Sequence, residues 1–299
     1  MTEVHHQPSI SLSPAARSRL GSYVALTKPR IIELLLITTV PAMVLAAGGW
    51  PGTWLVMATL IGGALSAGGA NALNMYYDRD IDEVMRRTRA RPLARHEVPP
   101  RNAVWFGVIL GLAGFAWLWV STTLLAALIS TAALLFYVFV YTVRLKRSTV
   151  QNIVIGGAAG AAPVLVGWAA VTGSVAVPAW ALFFIVFYWT PPHFWALALR
   201  YRDDYAAAGV PMLPVVAGVE ATTRRMLLYT GLMVGVSLLL VPLGGMSWIY
   251  LVAALVLGAW FLWDTWRVVR RPEHAMRLFA TSTVYLSALF ASVLLDVLL

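Results

Sequence analysis

The chain contains no cysteine. That excludes a disulfide framework, a thiolate metal site, an iron–sulfur cluster and a C-x-x-C-H haem attachment, so any metal must be held by oxygen or imidazole. Charge is also scarce: 12% of the 299 residues are Asp, Glu, Lys or Arg, against about 25% in soluble domains. Acids are the scarcer sign, 13 against 22 Lys and Arg, for a net charge of +9. The phosphate loop G-x-x-x-x-G-K-[ST] is missing as well. What is abundant is apolar: 60% of residues are hydrophobic and the mean hydropathy is +0.76. That composition excludes both a water-soluble globule and a disordered chain.

Nine apolar segments, at 31–50, 53–74, 103–120, 122–142, 153–171, 178–199, 226–243, 246–263 and 278–298, each approach the length a bilayer core demands. Runs such as Leu124–Val143 lack the alternation of a membrane barrel strand, and lipid-exposed backbone must satisfy its own hydrogen bonds. The expected fold is therefore all-α: a polytopic membrane protein of nine transmembrane helices, forming one domain over 23–299. Residues 1–22 are polar, with no apolar core before a small-residue cleavage site, and are expected to form a flexible cytoplasmic tail without a cleaved signal.

All 22 basic residues fall before the first segment or in alternate loops: four up to Arg30, seven from Arg79 to Arg101, three from Arg144 to Arg147, four from Arg200 to Arg225, and four from Arg267 to Arg277. The opposite loops hold none. The positive-inside rule puts the N-terminus and the long loops in the cytoplasm and the C-terminus outside. Bases spread over five loops at one membrane face describe topology, and no nucleic-acid partner is expected.

Topology does not require acids, so their positions carry more information. In Asn74-Met-Tyr-Tyr-Asp78-Arg-Asp80-Ile-Asp82-Glu83, the residues Asn74, Asp78 and Asp82 are spaced by four. They share one face of a continuing helix, with Asp80 on the opposite side. Oxygen-bearing side chains crowded on one stripe suit a hard cation such as Mg²⁺, which commonly bridges carboxylates to phosphates. A solvated helix end with Arg79 and Arg86 as partners would also accommodate them. The Asn one turn earlier, the long basic loop and a second acidic site favour the metal. That second site, Tyr201-Arg202-Asp203-Asp204-Tyr205, follows the sixth segment as the first follows the second. Adjacent carboxylates cannot share a helical face, so one would bind metal and the other cap or pair with Arg. Two divalent-cation sites beside a basic rim, over an apolar bundle, describe a holder for an amphipathic diphosphate.

The stretch Asn74–Leu93 (NMYYDRDIDEVMRRTRARPL) resembles the first aspartate motif of the UbiA superfamily of intramembrane prenyltransferases. The stretches Leu145–Trp168, Pro191–Pro214 and Thr27–Arg30 (TKPR) resemble its haem-modifying branch. The resemblance implies transfer of farnesyl from farnesyl diphosphate to a vinyl group of haem b, giving haem O for terminal oxidases. It also implies a bacterial-type inner membrane, with a downstream haem A synthase or oxidase as partner. It assigns Mg²⁺ to Asn74, Asp78, Asp82, Asp203 and Asp204 as the catalytic set, and diphosphate contacts to Arg30, Arg91 and Lys146. The second site departs from the superfamily's spaced D-x-x-x-D, because Ala208 stands four after Asp204.

His193, after Pro191-Pro192, is the one histidine within an apolar segment. It either bonds a carbonyl freed by the prolines or, as the resemblance implies, contacts haem, for which His is the common ligand. Trp189 and Trp195 read as interfacial-belt residues, with stacking on a porphyrin the other reading. Gly156 and Gly160 read as close helix packing, and Glu33 and Asp296 receive no role. Three other functions compete: a UbiA relative prenylating an aromatic acid or quinone precursor, a transporter or channel, and an oxidase assembly factor.

Overall fold

The computed structural model describes residues 18–299, without the side chains of residues 30, 31 and 33–36. Every regular element among the described residues is helical. A short helix α1 (Arg19–Thr27) leads into α2 (Pro29–Ala47) and α3 (Thr53–Tyr77), and a short six-residue helix α4 (Arg79–Val84) ends at the basic loop. Next come α5 (Pro100–Ser121) and α6 (Leu124–Leu135), which runs on through a π-helix (Phe136–Leu145) into α7 (Lys146–Ser148). Helices α8 (Asn152–Thr172) and α9 (Val177–Arg200) are followed by the short α10 (Arg202–Ala207) and α11 (Leu213–Val216). The long α12 (Gly218–Gly244), α13 (Trp248–Arg270) and α14 (Ala275–Leu298) complete the chain.

Eight helices among the described residues are long and apolar enough to cross a bilayer, and the 19-residue α2, apolar over Ile37–Ala47, stands where the first of the nine expected spans was placed. Each long helix packs on the next, and α14 returns to α2, so the nine close into a ring. Helices α8 and α9 are the most buried. The outer faces carry exposed Trp105, Ile109, Leu128, Phe139 and Val256, a lipid-facing surface that water would not tolerate. The chain is an integral, multi-pass membrane protein.

Close approach needs small residues. A Cβ on Gly69 of α3 would sit 2.6 Å from the carbonyl oxygen of Gly107 on α5, and one on Gly114 would sit 2.8 Å from the backbone nitrogen of Ser66. These glycines let two backbones touch. Gly156 works similarly: a Cβ there would lie 2.3 Å from the Tyr141 ring, whereas Gly160 meets nothing.

Several boundaries differ from expectation. The span expected to end at 142 reaches Ser148, and the one expected from 226 starts at Gly218. Polar residues extend both helices beyond the apolar run, where hydropathy carries no signal. Helix α1 takes in the last residues of the stretch 1–22, and residues 1–17 lie outside the described part. Asp296 acquires a structural role: its carboxylate accepts the backbone N–H groups of Ser247 (2.8 Å) and Tyr250 (2.9 Å) and the Ser247 hydroxyl, capping α13 from α14. Glu33 lies outside the described side chains.

Candidate active site

The first acidic motif sits where α3 meets α4. Asp78 interrupts the helix at φ −90°, ψ 0°, yet the hydrogen-bond ladder carries through it, with Asp78 N–H donating to Asn74 O (2.9 Å) and Asp82 N–H to Asp78 O (2.8 Å). The spacing of four therefore survives the joint. Asn74, Asp78 and Asp82 are all buried, and Asp80 on the other side is exposed.

Basic side chains from distant segments meet this stripe. Asn74 donates to Asp78 Oδ2 (2.8 Å), which also receives Lys146 Nζ at 2.5 Å; the second oxygen, Oδ1, is buried without a hydrogen-bond partner. A single nitrogen, Nη1 of Arg91, reaches both oxygens of Asp82, at 2.8 and 2.9 Å. Asp80 lies outside this group and pairs with Arg147, whose guanidinium lowers its pKa to about 2.

Two contributors had no site role assigned from the sequence, although Lys28 stands in the TKPR stretch. Lys28, between α1 and α2, donates Nζ to Asn74 Oδ1 at 2.6 Å. Burial, then the neighbouring charge of Arg91, lowers its pKa well below that of an ordinary lysine. Thr142 accepts from Asn74 Nδ2 (2.9 Å) and donates to Tyr137 O (2.8 Å), five residues back. Thr142 and Tyr137 both stand in the π-helix Phe136–Leu145, a distortion found frequently at functional sites. It brings Thr142 and Lys146 to Asn74 and Asp78, with Tyr137 in electrostatic reach of Asp78, Asp82 and Arg91.

The second acidic motif separates its two carboxylates. Asp204 is buried, and its Oδ1 accepts from Arg86 Nε at 2.8 Å, which holds its pKa below the usual range; Asp203 is exposed. Oδ2 of Asp204 is buried and unpartnered. Arg87 follows Arg86 onto the same helix, over the Tyr201 ring (5.8 Å) and 3.4 Å from the Tyr205 hydroxyl. The basic loop after α4 thus grips Asp82 through Arg91 and Asp204 through Arg86. The side chain of Arg30 lies outside the described residues.

The donor set fits a hard divalent ion. Two buried carboxylate oxygens lack partners, one at each motif, and among the described residues no three His, Asp or Glu side chains close into a cage. An ion here would complete its shell with phosphate and water, the habit of Mg²⁺.

His193 lies deeper, on α9. It does not bond a carbonyl freed by the prolines: its Nδ1 pairs with Ser282 Oγ of α14 at 2.6 Å. Its ring is stacked between Trp189 (4.2 Å) and Phe279 (4.3 Å). Trp189 and Trp195 are buried in the bundle, which corrects the interfacial-belt reading, because α9 has little lipid-facing surface. Asp264, another acid without sequence signal, is buried and accepts the Thr281 hydroxyl at 2.6 Å, tying α13 to α14.

Comparison with known proteins agrees with this architecture. Residues 35–292 match the UbiA prenyltransferase family. The chain is 55% identical to a protoheme IX farnesyltransferase of Clavibacter michiganensis subsp. michiganensis, covering 93% of this chain and 92% of the relative. It is 56% identical to protoheme IX farnesyltransferase 1 of Saccharopolyspora erythraea, covering 94% and 91%. Among solved structures, a digeranylgeranylglyceryl phosphate synthase superposes with TM-score 0.77 at 17% identity, covering 93% of this chain and 98% of that one. A UbiA homolog from Archaeoglobus fulgidus bound to DMAPP and Mg²⁺ gives 0.66 at 17% identity, covering 91% and 99%. With the closed ring of helices and the buried Asn-Asp-Asp stripe, these matches establish that the chain belongs to the UbiA prenyltransferase family.

Proposed function

We propose that this enzyme transfers the farnesyl group of farnesyl diphosphate to a vinyl group of haem b, yielding haem O and diphosphate. The observation that carries the reading is the junction of Asn74, Asp78 and Asp82 with Lys28, Lys146 and Arg91 at the end of α3. It is a charged cluster at the end of an apolar helix bundle, a pairing suited to a polar diphosphate head and a hydrocarbon tail. The relatives' names supply the acceptor.

Asn74, Asp78, Asp82 and Asp204 would hold Mg²⁺, with exposed Asp203 at the edge of the second site. When bound, the metal neutralises diphosphate charge as the C1–O bond breaks. Lys28, Lys146, Arg91 and Arg30 meet the leaving diphosphate and stabilise its developing charge. The electron pair of that bond leaves with the diphosphate, and the ring of helices shelters the allylic farnesyl cation from water. The vinyl π-bond of haem attacks C1. Water adds to the resulting cation and loses a proton, leaving a hydroxyethylfarnesyl group. His193, clamped between aromatic rings, contacts the haem. The basic loops and the acidic motifs face the cytoplasm of a bacterial-type inner membrane, and the product feeds a haem A synthase or terminal oxidase.

A transporter is disfavoured because the acids gather at helix ends rather than at the bilayer midplane, where transporter sites lie. The test is incubation of membranes holding the protein with farnesyl diphosphate, Mg²⁺ and haem b, followed by mass analysis of the pigment. Farnesylated haem is expected. A prenylated aromatic acid or quinone precursor with unchanged haem would overturn the reading.

A further inference from the structure

Each oxygen-bearing side chain proposed to hold metal is bonded to a basic group of the chain itself. Lys146 sits on Asp78 (2.5 Å), Arg91 on both oxygens of Asp82, Arg86 on Asp204 (2.8 Å) and Lys28 on the amide oxygen of Asn74 (2.6 Å). The four bases come from three separate segments, so their convergence belongs to the fold and not to any local motif. Lys28 is held there at a cost. Its backbone is left-handed, at φ 53° and ψ 62°, immediately before Pro29. Asn71 pins the preceding turn by donating to Thr27 O at 2.8 Å. A non-glycine residue in that region persists only when its surroundings enforce it, and such positions cluster at functional sites.

We infer that Lys28, Lys146, Arg91 and Arg86 are internal counter-ions that oppose binding of a bare divalent ion, and that the ion and a diphosphate-class anion bind cooperatively as these bases pass from carboxylate to phosphate oxygens. The inference rests on the reading of this site given above. A divalent ion beside Asp78 Oδ1 competes with the ammonium of Lys146 for the same carboxylate and is repelled by Lys28 and Arg91. A diphosphate reverses the balance, because its oxygens give the displaced bases new partners and also bridge to the metal. Metal and anion then raise each other's affinity by one common factor, as linkage requires. The orphaned oxygens of Asp78 and Asp204 are the acceptors left for the ion when the bases move.

Full-length protein in detergent separates these terms, with Mn²⁺ alone followed by electron paramagnetic resonance and inorganic pyrophosphate alone followed calorimetrically in chelator. Lys146→Met should bind Mn²⁺ alone roughly 5- to 150-fold more tightly than wild type, the usual span of such couplings, while binding metal-free pyrophosphate more weakly. Mn²⁺ should raise the melting temperature of Lys146→Met more than that of wild type. Arg86→Gln should show the same pair of opposite shifts; Arg86 is 72% exposed, so this variant decides the matter if Lys146→Met does not fold. Mn²⁺ binding no tighter in the folded variants than in wild type would overturn the inference and leave the active-site reading standing. Wild-type protein that binds neither probe, alone or together, would overturn both.

Discussion

The ammonium of Lys146 lies 2.5 Å from one oxygen of Asp78, and the other oxygen of that carboxylate is buried without any hydrogen-bond partner. Half of the carboxylate is thus compensated by the chain and half is left for something else. Burying an unpaired carboxylate oxygen is costly, and a fold retains that cost where chemistry uses it.

Asp78→Ala should therefore remove a contact to the metal, and with it a transition-state interaction. A fall in kcat of about 10²- to 10³-fold is expected, the scale seen when one charge-stabilising group is lost from an active site. Diphosphate release from purified protein measures it, and wild-type turnover at ordinary Mg²⁺ would exclude Asp78 from the metal site.

Thr142→Val keeps the shape of the π-helix side chain and removes the hydroxyl that accepts from Asn74. Loss of one such hydrogen bond is worth about 1 kcal/mol, so kcat/KM should drop several-fold with little change in melting temperature. A variant with unchanged kcat/KM would show that Asn74 is oriented without it.

His193→Ala should weaken haem binding and leave the KM for farnesyl diphosphate unchanged, because the histidine stacks with Trp189 and Phe279 away from the acidic stripe. The Soret band of added haem reports the binding. Ser282→Ala should shift the same band by a smaller amount, through loss of the 2.6 Å contact to Nδ1. Unaltered spectra in both variants would remove His193 from the haem site.

The Asp80–Arg147 pair predicts a pH dependence. Arg147 lowers the Asp80 pKa to about 2, so the carboxylate's contribution is present above the unfolded value near 4 and is lost as pH falls through about 2. The pair is exposed, and its worth is below about 1 kcal/mol. Asp80→Asn should melt slightly below wild type at pH 7 and together with it near pH 2. A difference that persists at pH 2 would mean the ion pair is not its source.

Gly69→Val tests the contact between α3 and α5. Its side chain would enter the space held by the Gly107 carbonyl, and overpacking against backbone costs about 1–3 kcal/mol. Lower yield of folded protein is expected, and a normal melting curve would show that the two helices can part without penalty.

Much of this protein is decided locally, and what is local can be read in the chain. Apolar runs near 20 residues have no soluble alternative, so the membrane class and the ring-forming helices follow from hydropathy. The spacing of Asn74, Asp78 and Asp82 is a helical period, so their shared face follows from geometry that survives the joint at Asp78. What tertiary structure decided lies across long separations. Lys28 meets Asn74 from 46 residues away, Thr142 from 68, and Arg86 reaches Asp204 across 118. No periodicity relates such pairs, because packing between helices sets their distances. The same packing buries Trp189 and Trp195, turns Asp204 inward and Asp203 outward, and converts the end of α6 into a π-helix that delivers Lys146. Sequence alone determined which residue types were present and which face each helix could offer. The fold decided which basic group answers each acid, because opposite charges pair in a dry site only where backbones hold them within about 3 Å.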